Sequence, residues 1–129
     1  MLAEVIGKSL TSQILHVQPP ANVSRENFAA YAVYEKKKLA RLALINLAQL
    51  NKTEAANSTS GVWVSLPESN GSARVKRMTA PGLDEKETDR VTWAGQAYTN
   101  GTAVGDLEVE RASGSAVWVR DSEAVLVIL

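Results

Sequence analysis

Short apolar runs, broken by turn residues at roughly ten-residue spacing, set the pattern of this chain. Residues 13–17 (QILHV), 28–34 (FAAYAVY), 61–66 (GVWVSL), 73–78 (ARVKRM) and 116–120 (AVWVR) are rich in β-branched and aromatic side chains, as half-buried strands are. Shorter β segments are expected at 91–93, 96–98 and 107–109, punctuated by Gly95, Asn100-Gly101 and Gly105. Residues 116–120 are expected to pair across Ser113-Gly114-Ser115 with the segment before them. The chain closes on a continuous apolar run at 124–129. Pro19-Pro20, Pro67 and Pro81-Gly82 interrupt ladders, and residues 18–27, 52–60 and 83–90 read as polar or charged loops. Many short strands at this spacing indicate an all-β fold, an antiparallel sandwich or barrel.

Two stretches depart from this. Leu2, Val5 and Ile6 share a helical face, and Gly7 stands where a C′ glycine ends a helix. So short a helix is marginal alone and reads as the end of a longer element upstream. The second stretch, residues 39–50, is rich in Leu and Ala and favours helix by propensity. No Ser, Thr, Asp or Asn caps it before Lys36, and Asn46 falls on its apolar stripe. As a strand it would put Leu39, Ala43, Ile45 and Leu47 on one face and Ala40, Leu42 and Leu44 on the other. Both faces would then be apolar, as in a strand covered on two sides. Pattern alone leaves helix and strand open here.

Composition narrows the function more than the fold. At 129 residues the chain suits one domain that buries roughly two-thirds of its unfolded surface. Fourteen basic residues balance fourteen acidic ones, so no field steers it to nucleic acid or an anionic membrane. No apolar run approaches the roughly 18 residues of a membrane span. The absence of cysteine removes disulfides, thiolate nucleophiles and the common zinc patterns, and a single His removes sites of several imidazoles. No metal site and no cofactor is expected. The N-terminus does not read as a signal peptide, because Glu4 and Lys8 interrupt the apolar core and no basic leader precedes it.

Asn-x-Ser/Thr occurs at Asn22, Asn51, Asn57, Asn70 and Asn100, five of the seven asparagines. Chance gives about one such match among seven. These are candidate N-glycosylation sites, which suggests a domain shaped in a secretory pathway, although Ser, Thr and Asn also simply share turns. A signal peptide would then lie upstream in a longer parent.

Nothing reads as an active site, and no catalytic residue is assigned. His16 sits in a β-prone run with no marked nucleophile. Asp84, Glu85, Glu87 and Asp89 are interleaved with Lys86 and Arg90 in a loop, whereas a glycosidase holds two carboxyls about 5–10 Å apart on rigid supports. Asp106, Glu108 and Glu110 read as the solvent side of a strand, and Lys36-Lys37-Lys38 and Lys76-Arg77 as solubilising charges. The glycines form no phosphate loop or dinucleotide fingerprint. In VWVSL and AVWVR, inward valines turn Trp63 and Trp118 to the opposite face. There they can meet a second domain or stack on a sugar ring.

Taken together, AEVIGKS (3–9), YAVYEKKKLARLALINL (31–47), VKRMTAPG (75–82), VTWAGQAY (91–98) and VRDSEAVLVIL (119–129) resemble the C-terminal β-domain of fungal proteins similar to glycoside hydrolase family 79, which includes β-glucuronidase and heparanase-like enzymes. The resemblance implies a secreted parent with a (β/α)8 catalytic barrel followed by a β-sandwich. Residues 1–8 would end the last barrel helix and residues 9–129 would form the sandwich. The two catalytic glutamates of such a parent lie on the barrel; Glu35, Glu54 and Glu123 do not replace them, so the isolated chain is expected to be inactive. The resemblance makes 39–47 a strand, paired with 28–34 in a hairpin. Its relatives usually carry an Asn-Gly-type turn where this chain has Lys36-Lys37, and their sandwich tends to recruit a strand from the parent's N-terminus. The implied function is a noncatalytic domain bracing the barrel; the alternative is a free-standing carbohydrate-binding module.

Overall fold

The computed structural model describes residues 2–19, 21, 23, 26–67, 72–112 and 114–129. A helix α1 (Leu2–Ile6) precedes strands β1 (Gln13–Val17), β2 (Phe28–Glu35) and β3 (Lys38–Asn46). A helix α2 (Lys52–Ala55), strands β4 (Gly61–Ser65) and β5 (Arg74–Thr79) and a 3-10 turn at Thr88–Arg90 follow. The chain ends with β6 (Thr92–Trp93), β7 (Ala97–Thr99), β8 (Thr102–Val104), β9 (Glu110–Arg111), β10 (Ala116–Arg120) and β11 (Glu123–Ile128). The larger sheet runs β1-β2-β3-β11-β5-β6, with β9 also pairing β5. Opposite it lies the two-stranded sheet β10-β4, and β7-β8 form a separate hairpin. All pairings among the described residues are antiparallel, and the architecture is an all-β sandwich. Among the described residues no helix is long and apolar enough to cross a membrane.

The stretch that pattern left open is a strand. β3 pairs with β2 on one edge and β11 on the other, and its helix-favouring Leu and Ala yield to that two-sided pairing. Leu42 and Leu44 are buried toward the smaller sheet, and Ala43 lies on the opposite face against Leu126 and Trp93. Leu39 corrects the expected facing. Val33 pairs with Arg41 but Tyr34 with Leu39, so Ala40 is the extra residue of a β-bulge. The bulge turns Leu39 to the side of Leu42, and Leu39 and Tyr34 both pack against the main core.

Other expectations need correction. β10 pairs with β4, Ala116 opposite Ser65 through Arg120 opposite Gly61, and not with the segment before it. This register sets Val117 opposite Val64 and Val119 opposite Val62, over the core. Residues 106–109 are not a strand; Glu110–Arg111 is, and it extends the edge of β5. The expected loop 52–60 begins with α2. Glu54 Oε2 accepts the Asn51 N–H at 3.2 Å, Asn51 stands at its N-cap, and Ala55 is buried beneath it. Gly7 does end α1 as expected, at φ +79°, its N–H bonded to the Ala3 carbonyl at 2.9 Å.

The main core lies between the sheets. Phe28, Ala30, Ala32, Leu42, Leu44, Val75, Val125 and Val127 come from the larger sheet, and Val64, Val117 and Val119 from the smaller. A second cluster of Trp93, Ala94 and Leu126 lies on the other face of the larger sheet, with Val5, Ala43, Met78 and Ile128 packed against it.

A polar corner joins the sheets where β10 turns into β11. Glu123 Oε2, buried, accepts Arg77 Nη1 and the Arg120 N–H, both at 2.9 Å. Arg77 also donates to the Trp118 carbonyl at 2.9 Å and to both oxygens of Glu110 at 3.0 Å. Buried Asn46 donates to Asp121 at 2.9 Å, and Ser122 Oγ donates to the Ala48 carbonyl while accepting the Leu50 N–H. Lys76-Arg77 is therefore not a solubilising pair: Lys76 is tied to Glu4 at 2.7 Å and Arg77 to this corner.

Lys36 and Lys37 both adopt positive φ (49° and 65°), as a two-residue hairpin between Glu35 and Lys38 requires. The β7-β8 hairpin reaches the same geometry with Asn100-Gly101 (51° and 79°), at lower conformational cost. Replacing Lys36→Asn with Lys37→Gly should stabilise the chain by about 1–2 kcal/mol and raise its melting temperature by a few degrees in calorimetry. An unchanged or lower melting temperature would show that the lysines fit their turn without strain.

Candidate functional site

Two surfaces concentrate what this chain can do. The first is the outward face of the small sheet. Trp63 and Trp118 are direct cross-strand partners, as the inward valines dictate, with ring centroids 5.3 Å apart and planes tilted by 53°. Trp63 is 57% exposed, whereas Trp118 is partly buried, its ring lying over Gly61. A Cβ at Gly61 would meet that ring at 2.7 Å, so only glycine lets Trp118 lie there.

Beside the pair opens a groove of about 900 Å³, walled by α2, residues 58–59 and Ala80-Pro81. Its far wall is pinned to the loop of residues 81–85. The Lys52 N–H donates to Asp84 at 2.8 Å, Leu83 donates to the Leu50 carbonyl at 2.8 Å, and a Cβ at Gly82 would sit 2.2 Å from the Lys52 nitrogen. Glu85 anchors this wall, its side chain only 1% exposed. Its carboxylate accepts the N–H groups of Glu87 and Lys86 and pairs with Lys52 Nζ at 3.0 Å. The Glu87 N–H, foremost, holds its pKa below the usual glutamate range. The acidic loop thus contains two structural carboxylates, Asp84 and Glu85, that sequence reading took for solvated charges. Arg120 crosses from β10 to donate to the Ala55 and Ser58 carbonyls.

The second surface is the outer face of the larger sheet. Val5, Ile14, Tyr31, Ala43, Trp93 and Leu126 line a wholly apolar groove of about 240 Å³. It shares Ile45 and Ala124 with a second groove that runs toward Leu47, Met78 and Leu83, forming one strip. Helix α1 is fixed at one end of it. Glu4 Oε2 accepts Trp93 Nε1 at 2.8 Å, and Glu4 Oε1 meets Lys76 Nζ at 2.7 Å. The Lys76 hydrogen bond lowers the Glu4 pKa, with a further contribution from Trp93. Sequence reading missed this clamp, because Glu4 and Trp93 carry no mutual signal 89 residues apart.

The remaining residues fall elsewhere. His16 lies on β1, edge-on to Tyr31 at 5.4 Å. Glu35 pairs with Arg41 at 2.8 Å, Glu54 caps α2 and Glu123 locks the polar corner. Of the asparagines in Asn-x-Ser/Thr, Asn51, Asn57 and Asn100 are exposed, at the N-cap of α2, just after α2 and in the β7-β8 turn. Asn22 and Asn70 lie outside the described residues.

Residues 30–126 match the model of the glycosyl hydrolase family 79 C-terminal beta domain. The chain belongs to this family. Among solved structures it is similar to a 4-O-α-L-rhamnosyl-β-D-glucuronidase from Fusarium oxysporum 12S, at 27% identity and a TM-score of 0.66. That likeness covers 90% of this chain and 26% of the other, so the chain spans about a quarter of its length. No curated protein matches it.

The Glu4 clamp gives a pH prediction. A depressed glutamate pKa contributes stability that is present above the ordinary value and lost as pH falls through the folded one. Lowering the pH below the usual glutamate range should release α1 and shift Trp93 emission, with global unfolding followed separately by circular dichroism. Glu4→Gln should remove that step from the fluorescence titration. An identical titration in wild type and Glu4→Gln would place the transition elsewhere.

Proposed function

We propose that this chain is the noncatalytic C-terminal β-sandwich of a secreted, β-glucuronidase-type family 79 enzyme, and that it braces the catalytic barrel through the outer face of its larger sheet. The apolar strip on that face carries the reading. A contiguous apolar strip on a sheet face is a surface for another body. α1 already packs there, and under this reading residues 1–8 continue the last barrel helix into residues 9–129. The glutamates that could suggest hydrolysis are each committed to a structural bond, so the chemistry belongs to the barrel.

The lopsided sandwich supports the same reading. β4 pairs only with β10 among the described residues, and at its free edge a groove of about 560 Å³ runs over Ala30, Ala32, Tyr34, Leu39 and Leu42. An extended segment from the parent's N-terminal part would add to β4 there and close the core. Export fits the exposed Asn51, Asn57 and Asn100, which a secretory host would glycosylate.

The test is co-expression with a family 79 catalytic barrel that lacks its own β-domain. A one-to-one complex should purify, and it should hydrolyse an aryl glucuronide that the isolated chain does not. Ile45→Glu, half-buried on the strip, should abolish the complex while the chain still melts cooperatively. Turnover by the chain alone, or a complex indifferent to Ile45→Glu, would contradict the reading. Secretion is checked apart: a chain exported from a eukaryotic host should lose mass on treatment with an N-glycan amidase.

A further inference from the structure

We infer that the groove beside Trp63 and Trp118, on the outer face of the small sheet, is a saccharide-binding site selective for acidic sugars. It does not rest on the proposed barrel contact. Trp63 stands more than half exposed on a regular strand, where a Trp without a partner costs solubility. Its neighbour Trp118 is held in place by the cross-strand register and by Gly61, so the platform is built into the sheet. A pyranose presents a flat C–H face that an indole covers well, while its hydroxyls need donors and acceptors around the rim. Ser58, Thr59, Lys52 and Arg120 supply these along the groove. Trp63 also borders the groove at the free edge of β4, so a strand added there would flank its ring on the side away from Trp118.

The charge around the groove selects the class of sugar. Glu85 is the buried carboxylate behind its far wall, and it already faces Lys52 at 3.0 Å and Arg90 at 4.0 Å. Arg120 is different. It makes no ion pair among the described residues and spends Nη2 on the carbonyls of Ala55 and Ser58, while its Nε, like Oε2 of Glu85, is buried without a hydrogen bond. A partly buried guanidinium with no carboxylate leaves the groove positive, and a uronate carboxylate is the natural complement. The ligand class is therefore an oligosaccharide carrying uronic acid, stacked on Trp63 with its carboxylate toward Arg120.

The full chain, made in bacteria and therefore free of glycans, tests this with two probes of equal length: a tetragalacturonate and a neutral β-linked glucose tetrasaccharide. Tryptophan emission should change saturably with the acidic probe, at a Kd on the order of 1 mM or tighter, and at least about tenfold more weakly with the neutral one. Trp63→Ala should weaken the acidic probe about tenfold or more without changing the cooperative melt, since that ring is exposed. Arg120→Gln should erase the preference for the acidic probe and Arg120→Lys should retain it, with both melts recorded. Absence of saturable binding by the folded wild-type chain would overturn the inference. So would equal binding of both probes, or binding unchanged in a folded Trp63→Ala variant.

Discussion

Everything in this domain depends on β11, a central strand that is apolar on both of its faces. It lies between β3 and β5, and its side chains alternate between two clusters: Val125 and Val127 point to the core between the sheets, Leu126 and Ile128 to the outer face. The chain reaches this position directly from the opposite sheet, through Asp121 and Ser122 at the end of β10. Crossing between sheets in so few residues leaves backbone and carboxylate groups away from water. The corner compensates them with Arg77, Asn46 and Ser122. The compensation is incomplete at Glu123, whose pKa is raised by burial despite its bonds to Arg77 and Arg120. That carboxylate still ties β11 to β5 through Arg77 and to the end of β10 through the Arg120 N–H.

A central strand apolar on both faces divides the molecule by task. The inner face is closed, in part, by β4 and β10. Among the described residues the outer face is covered at one end, by α1 and Trp93, and the rest of the strip stays apolar. The small sheet completes the division, with valines inward and the tryptophan pair outward.

Much of this was legible in the sequence. Alternation and turn residues located most strands, Gly7 marked the end of α1, and the valines of VWVSL and AVWVR announced which way Trp63 and Trp118 point. What escaped the reading is nonlocal. Leu and Ala at 39–50 balance helix against strand until two neighbouring strands decide. The bulge at Ala40, which reverses Leu39, depends on how β2 and β3 come into register. β10 had a plausible partner next to it in sequence and took β4, about 50 residues away, because only that pairing covers the core. Lys76, Arg77 and Glu85 looked like solvated charges, and Glu4 was read only as a break in an apolar run, because a single charge does not reveal a partner dozens of residues distant.

The central claim is that the outer face of the larger sheet is covered by a catalytic barrel, and thiol accessibility tests it most directly. The chain has no cysteine, so a single Ala43→Cys reports on that face alone, with Val104→Cys as an exposed control. Labelling of Cys at position 43 should be measurable in the isolated chain and strongly suppressed once the chain is bound to a family 79 catalytic barrel, while labelling at 104 stays unchanged. Equal labelling at position 43 in the free and bound chain would contradict the account.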